Sequence, residues 1–220
     1  MTPADVTLGI DTGGGVAAAA IAFEAEGVST TESQALEGLL PCVRSALASI
    51  GRELSAVRAI AVCIGPGSFT GLRIGVAFAK SLAQALGIAA FGISSFDIVT
   101  SLRAAAESVP PRMTVVEGKR GFYYARIATG SDRPPITVSG DRTVLTNAAH
   151  GAFNEEAGDA ELDRAIAAVE CDQALRAVAV AKLGRAAFDA GANGDWRSLA
   201  IEYGQRPNAV VNWELQHGRG

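Results

Sequence analysis

At 220 residues, 49% of them hydrophobic and 19% charged, the chain can bury an ordinary core as one large or two small domains. A net charge of −4 argues against a free-standing nucleic-acid binder. Cys42, Cys63 and Cys171 follow no metal-ligand spacing and read as buried thiols of a reducing compartment, and no apolar run reaches the length of a membrane span. The opening Met-Thr-Pro-Ala-Asp lacks the basic region of a signal peptide, so the cytoplasm is the expected location.

Val6 to Ile10 reads as a strand with Asp11 at its end. Thr12-Gly13-Gly14-Gly15 is a tight turn, and Val16 to Phe23 the returning strand. Strand, acidic residue, glycine turn, strand is the order that opens the sugar-kinase, Hsp70 and actin superfamily. There the turn wraps a phosphate and the carboxylate helps hold Mg²⁺. Asp11, Thr12, Gly13 and Gly14 are therefore a candidate phosphate site, vestigial or working, with a plain flexible hairpin as the alternative. Asp11-Thr12-Gly13 also spells the aspartic protease triplet, but that chemistry needs two such carboxylates and the chain has one copy.

Glu24 to Thr31 suggests a polar hairpin and edge strand. A helix is expected from about Ser33, with Leu36, Leu39, Leu40, Val43, Leu47 and Ile50 at helical spacing. Pro41 should kink it or mark a fresh start, and Gly51 ends it. Ala59 to Ile64 is a short apolar strand, broken by Gly65-Pro66-Gly67. Ser68 or Thr70 then caps a helix running to about Leu86, closed by Gly87. Leu72, Val76, Ala79, Ala83 and Leu86 share one stripe of that helix; Ile74, Ala77, Phe78, Leu82 and Ala85 lie beside it. A helix on one sheet needs a single apolar stripe. This one is either buried within its own domain or presents its outer face to another protein.

Ile88 to Ile93 is a further strand, and a helix runs from Ser94 to about Glu107. Pro110-Pro111 is the best boundary, dividing the chain into lobes 1–109 and 110–220, with the tail returning to the first. Met113 to Val116 and Phe122 to Ala128 are strands about the turn Glu117 to Gly121, a weak echo of the opening hairpin. Asp132 to Val144 looks loop-rich, and Ala148 to Asp159 acidic and superficial. Asp172 to Ala190 is a helix capped by Asp172, with Leu175, Val178, Ala179, Leu183, Ala186 and Ala187 inward; Leu199 to Trp213 is extended.

Missing groups constrain the chemistry. The two histidines, His150 and His217, stand apart from any nucleophile, and no zinc spacing exists. Gly67 to Gly71 lacks the Lys-Ser/Thr ending of a Walker loop, and Pro66 stands where a nucleophile elbow needs glycine. Ser68 is thus a cap rather than a nucleophile. Arg73, Lys119 and Arg120 flank glycine turns where a cleft between lobes would open; solvated surface charge is the plainer reading of each.

Gly65-Pro66-Gly67-Ser68-Phe69-Thr70-Gly71-Leu72-Arg73-Ile74-Gly75 closely resembles the signature of the TsaB (YeaZ) family. Leu8 to Thr12, Gly92 to Ser95, Val116 to Tyr124 and Tyr203 to Pro207 resemble its other short motifs. The resemblance implies the two-lobed, ribonuclease-H-like α/β fold of the actin and sugar-kinase superfamily. It also implies a non-catalytic subunit in the synthesis of threonylcarbamoyladenosine (t6A) on tRNA. Such a subunit pairs with the transferase TsaD, is joined by TsaE, self-associates when alone and meets tRNA only through the complex. It requires no cofactor itself; ATP or ADP and a metal belong to the partner-bound complex. The implied interface is helical: Leu36, Leu39, Leu40, Val43, Leu72, Val76, Phe78, Ala79 and Ala83. Departures cluster at Gly13-Gly14-Gly15, Glu32-Ser33, Glu117, Lys119 and Phe122. The rival reading is a small-molecule kinase or other ATP-binding enzyme of the superfamily; a metalloprotease is disfavoured by the missing histidine pair.

Overall fold

The computed structural model describes residues 5–14, 16–21, 25–31, 36–107, 111–119, 121–128, 134–168 and 172–204. Five strands form the first sheet: β1 (Val6–Asp11), β2 (Val16–Ile21), β3 (Glu26–Thr31), β4 (Val57–Gly65) and β5 (Ala89–Ser94), in the order β3-β2-β1-β4-β5. The first three form an antiparallel meander, and β4 and β5 run parallel to β1. A parallel neighbour needs a crossover, and helices supply it. α1 (Leu36–Ala48) lies between β3 and β4, and α2 (Phe69–Leu86) between β4 and β5. Pro41 sits inside α1 at an exposed position, so it marks no fresh start.

The alternation of β4 divides the core. Ile60 and Val62 join Leu8 and Ile10 against Leu39, Val43, Val76, Ala79 and Ala83 of α1 and α2. Ala59, Ala61 and Cys63 face the opposite layer, which holds α3 (Ser95–Glu107) and α6 (Gln173–Asp189). That second face is built from small residues because α6 approaches very closely. A Cβ on Gly9 would stand 2.5 Å from the Ala181 backbone nitrogen, and one on Gly184 2.2 Å from Ala61 Cβ. The alanine-rich composition thus has a use, since two backbones meet across this layer.

The second sheet is an antiparallel meander of β6 (Met113–Lys119), β7 (Phe122–Ile127) and β8 (Ile136–Gly140). α4 (Arg142–Ala152) and α5 (Glu155–Ala167) cover it over a core of Met113, Val115, Ile127, Leu145 and Leu162. Its other side brings Val116 and Tyr124 onto Phe96 and Val99 of α3.

Four expectations need correcting. Within 132–144, expected to be loop-rich, lie β8 and the start of α4, and the stretch 148–159 falls on the end of α4 and the start of α5 with Ala149 and Gly158 buried rather than superficial; Asp141 and Asn154 cap the two helices by accepting from Val144 N–H and Ala157 N–H. Val178 and Ala179 of α6 are buried as expected, together with Arg176, Ala177, Val180, Ala181 and Gly184, whereas Leu175 is 54% exposed and Ala186 is exposed. The register is set by the close seat at Gly9 and Ala61, not by the largest apolar residues. Finally, α6 as well as the tail packs on the first sheet, so the lobe division at 109/110 does not describe a simple halving. That boundary itself lies outside the described residues.

A buried ion cluster joins α3 to the second lobe. Arg103, 3% exposed, meets Glu107 at 2.9 Å and Glu161 at 3.4 Å, and donates to the Met113 carbonyl. Glu161 also accepts from Met113 N–H and from Arg164. Burial alone would raise the Glu161 carboxyl. The hydrogen bonds from Arg164 and Met113 and the charges of Arg103 and Arg164 outweigh it and hold the group below the usual carboxylate range. A depressed folded-state value stabilises the fold at neutral pH, and that contribution is lost as pH falls through the folded value. Glu161→Gln should therefore cost about 2–3 kcal/mol at neutral pH, by leaving Arg103 partly uncompensated. Urea unfolding at stepped pH checks this: the gap from wild type should shrink in acid, and a pH-independent gap would contradict it.

Candidate functional site

The signature turn begins where β4 ends. Gly65 has φ +106°, a backbone that side chains rarely adopt, and a Cβ there would stand 2.5 Å from the Glu202 carbonyl. Ser68 caps α2, its hydroxyl accepting from Gly71 N–H, while its own N–H donates to the Gly13 carbonyl at 3.0 Å. A Cβ on Gly71 would fall 1.9 Å from the Thr12 carbonyl oxygen, and one on Gly75 2.2 Å from Thr12 Oγ1. The signature glycines let the first two turns of α2 lie directly on Thr12 and Gly13. Gly65, Gly67, Gly71, Gly75, Pro66 and Ser68 thus shape the turn. Leu72 fills the core behind it, while Phe69, Thr70 and Arg73 face outward.

Asp11 lies at the carboxyl end of β1 with no solvent exposure. Its Oδ1 accepts from Gly13 N–H at 2.8 Å, and its Oδ2 accepts from Arg176 Nε at 2.6 Å. Arg176 is 8% exposed, so this is a buried, charge-assisted pair. Cys63 lies beneath, its sulfur 3.1 Å from Ser95 Oγ. Burial, reinforced by the Asp11 charge, pushes the thiol up to about 12, so it is inert at neutral pH.

Above Asp11 a cleft of about 250 Å³ opens between the lobes, lined by Gly13, Gly14, Gly67, Glu117, Gln173 and Arg176 among others. Among the described residues, Gln173 Nε2 is a buried donor without a protein partner, and Thr12 Oγ1 is likewise unpartnered against α2. Glu117 accepts from Gly121 N–H, so its carboxylate closes the β6–β7 turn. The Lys119 side chain and Arg120 lie outside the described residues, as do Cys171 and His217. His150 meets Asp159 at 2.8 Å, a link between α4 and α5. A cation on the cleft side of Asp11 would have to displace the Arg176 guanidinium. The residues present therefore do not fit a metal held through this carboxylate.

The expected partner face is mostly interior. Leu39, Val43, Leu72, Val76, Ala79 and Ala83 are each 5% exposed or less, in the chain's own core, and so are no surface for a second protein. The second apolar stripe of α2 has an internal reason as well: Ile74, Phe78 and Leu82 pack on the same core as Trp196, Leu199 and Ile201. Leu40 and Phe78 keep partial exposure, and with Glu37, Pro41, Ala77 and Ser81 they line an apolar groove between α1 and α2. Nothing is described of the Leu36 side chain. Sequence reasoning missed Arg176 altogether; it places Tyr203 in a closing motif but gives no sign of its ring contact with Phe69, with centroids 5.1 Å apart.

The family model of tRNA N6-adenosine threonylcarbamoyltransferase (TsaD) matches residues 29–133. An uncharacterized protein of Mycobacterium tuberculosis is 35% identical over 95 residues, 43% of each chain. The tRNA threonylcarbamoyladenosine biosynthesis protein TsaB of Escherichia coli is 40% identical over 57 residues, 26% of this chain and 25% of its own. The matched segments thus span less than half of these curated relatives. Among solved structures, YeaZ from Pseudomonas aeruginosa superposes with a TM-score of 0.63 at 18% identity, covering 90% of this chain and 99% of that one. The fold is the two-lobed ribonuclease-H-like architecture of the actin and sugar-kinase superfamily.

Two sets of variants probe the geometry of the turn and the ion pair. Gly71→Ala drives a methyl into the Thr12 carbonyl, a backbone atom that cannot swing aside, and should cost about 3 kcal/mol by thermal or urea unfolding. Asp11→Asn should cost a similar amount, because it leaves the Arg176 charge buried. The double variant Asp11→Asn/Arg176→Met should recover part of that loss. Strictly additive losses would mean that the two side chains do not act as a pair.

Proposed function

We propose that the chain is a member of the TsaB (YeaZ) family and, on that reading, a non-catalytic subunit of the machinery that makes threonylcarbamoyladenosine on tRNA. The observation that carries the non-catalytic reading is the Asp11–Arg176 pair. In an enzyme of this superfamily the equivalent carboxylate serves a metal and a nucleotide phosphate; here a guanidinium occupies it. Among the described residues, no group of three His, Cys, Asp or Glu side chains could hold a metal ion.

The role left to such a chain is to support a catalytic partner. The partner proposed is the TsaD-type transferase, bound as a heterodimer across the α1/α2 groove, with TsaE joining the pair. Self-association through the same groove is the state expected without the partner. Nucleotide and metal would enter with the partner, and tRNA would be met only in the complex. The cytoplasm is the compartment proposed, and none of the described helices is long and apolar enough to cross a membrane. The rival ATP-dependent enzyme would need Asp11 released from Arg176.

Size-exclusion chromatography with light scattering, alone and with the TsaD-type transferase of the same source, tests this reading. A self-dimer giving way to a one-to-one heterodimer without ATP turnover by this chain is the expected result. Ala77→Glu/Ser81→Glu, at exposed positions of the groove, should weaken pairing at least tenfold, about 1.4 kcal/mol, without lowering α-helical content. A monomer indifferent to the transferase, or ATP hydrolysis by the purified chain, would sink the proposal.

A further inference from the structure

A second concavity lies across α2 from the α1/α2 groove. Arg73, Val76, Ala77 and Lys80 form one wall, and Leu199, Ile201 and Tyr203 the other. Both walls are fixed. Leu199 is buried, and Glu202 N–H donates to the Ile64 carbonyl at 2.8 Å, so the 199–203 stretch is pinned to the end of β4. A site that is already shaped loses little on binding.

Arg58, Arg126, Arg142, Arg176, Lys182 and Arg185 each meet a carboxylate of their own chain. The two cations of this groove, Arg73 and Lys80, meet none among the described residues, as is also true of Arg44, Arg52 and Arg112, although the chain carries net negative charge. Arg73 and Lys80 stand seven positions apart on α2, about 10 Å along its axis and on one face. Beside them Phe69 is 56% and Tyr203 40% exposed; the two rings stack, and the Arg73 guanidinium lies 5.2 Å from the Phe69 centroid. Exposed Tyr, Phe and Arg around an aliphatic floor make the composition of a protein hot spot.

We propose that this groove seats an acidic segment of the protein partner, with carboxylates about 10 Å apart on Arg73 and Lys80 and an aliphatic side chain between them on Val76, Ala77, Leu199 and Ile201. Ala77 lines both grooves, so a partner covering α1/α2 reaches this one without a break. The inference rests on the partner-binding reading and adds the chemistry of what is bound. A protein segment fits better than RNA. Among the described residues the groove holds two cations and the floor between them is aliphatic, whereas a strand of RNA needs a longer basic track.

The experiment is calorimetric titration of the full chain with the TsaD-type transferase of the same source, at increasing sodium chloride. Wild-type affinity should fall as salt rises. Arg73→Glu/Lys80→Glu should bind at least tenfold more weakly and lose most of that salt dependence. Tyr203→Ala should weaken binding while keeping it. Arg142→Glu/Lys182→Glu makes the same change in net charge at exposed sites elsewhere and should bind as wild type. Circular dichroism melts show whether each variant is folded; Arg73→Ala/Lys80→Ala repeats the test without introduced acids. If the wild type does not bind the transferase, the partner reading fails and this inference with it. If it binds and the groove variants bind equally well, the groove is not the seat and the partner reading stands. Equal losses in both double reversals would reduce the effect to bulk charge. Loss of tRNA retention with transferase binding intact would make the groove a nucleic-acid site and overturn the proposal.

Discussion

Arg176 of α6 reaches Asp11 at the end of β1 across 165 residues of chain, and the molecule is arranged so that this contact can form. A carboxylate and a guanidinium withdrawn from water are costly apart and tolerable only together. Their pairing fixes the start of α6 over the β1–β2 turn. The same carboxylate also accepts from Gly13 N–H, so the turn is shaped from beneath by the ion pair and from the side by α2. The close seat of α6 on Gly9 and Ala61 is the second half of this constraint. Without small residues on both sides, the helix would ride too high for Arg176 to reach.

How far the sequence discloses this depends on how local each signal is. The cap at Ser68, the left-handed Gly87 and the strand leading into the signature are settled within a few residues, and the structure has them as expected. The helices over 142–167 were not legible. Their apolar positions are sparse, and their order rests on caps and on the second sheet they cover. α6 shows the opposite error. Periodicity puts Leu175 inside and gives no reason to bury Arg176, because the reason, Asp11, is far away in the chain. The apolar character of α2 was visible, and of its two readings, burial within its own domain accounts for most of it. Much of what looks like a surface for another protein is covered by the chain's own 196–201 stretch.

Outer surfaces that remain are therefore narrower than the composition suggests. Leu40 and Phe78 on one side of Ala77, and Arg73, Lys80 and Tyr203 on the other, border a helix whose buried face is already committed. This division is physically sensible for the proposed subunit role. Residues that hold α2 in place cannot also be released to a partner, and residues on its flanks can be offered without loosening the fold.

The contacts between lobes argue in the same direction. Arg126 of β7 pairs with Asp97 of α3, donates to Ser94 and lies over Phe96, its guanidinium carbon 4.6 Å from the ring centroid. Thr100 and Thr114 share a hydrogen bond at 2.8 Å, and Arg103 carries α3 into the Glu161 cluster. At the other rim, Gly204 with φ +65° lies so near Tyr124 that a Cβ would stand 2.6 Å from its ring. Enzymes that close around a nucleotide need a few residues that swing while the lobes slide or hinge. Here buried charge, a guanidinium laid over a ring and a tight glycine contact all cross the lobe boundary, and opening the cleft would break several of them together. A chain built in this way is suited to presenting one fixed surface, which is what a partner-supporting subunit requires and a nucleotide-driven cycle does not.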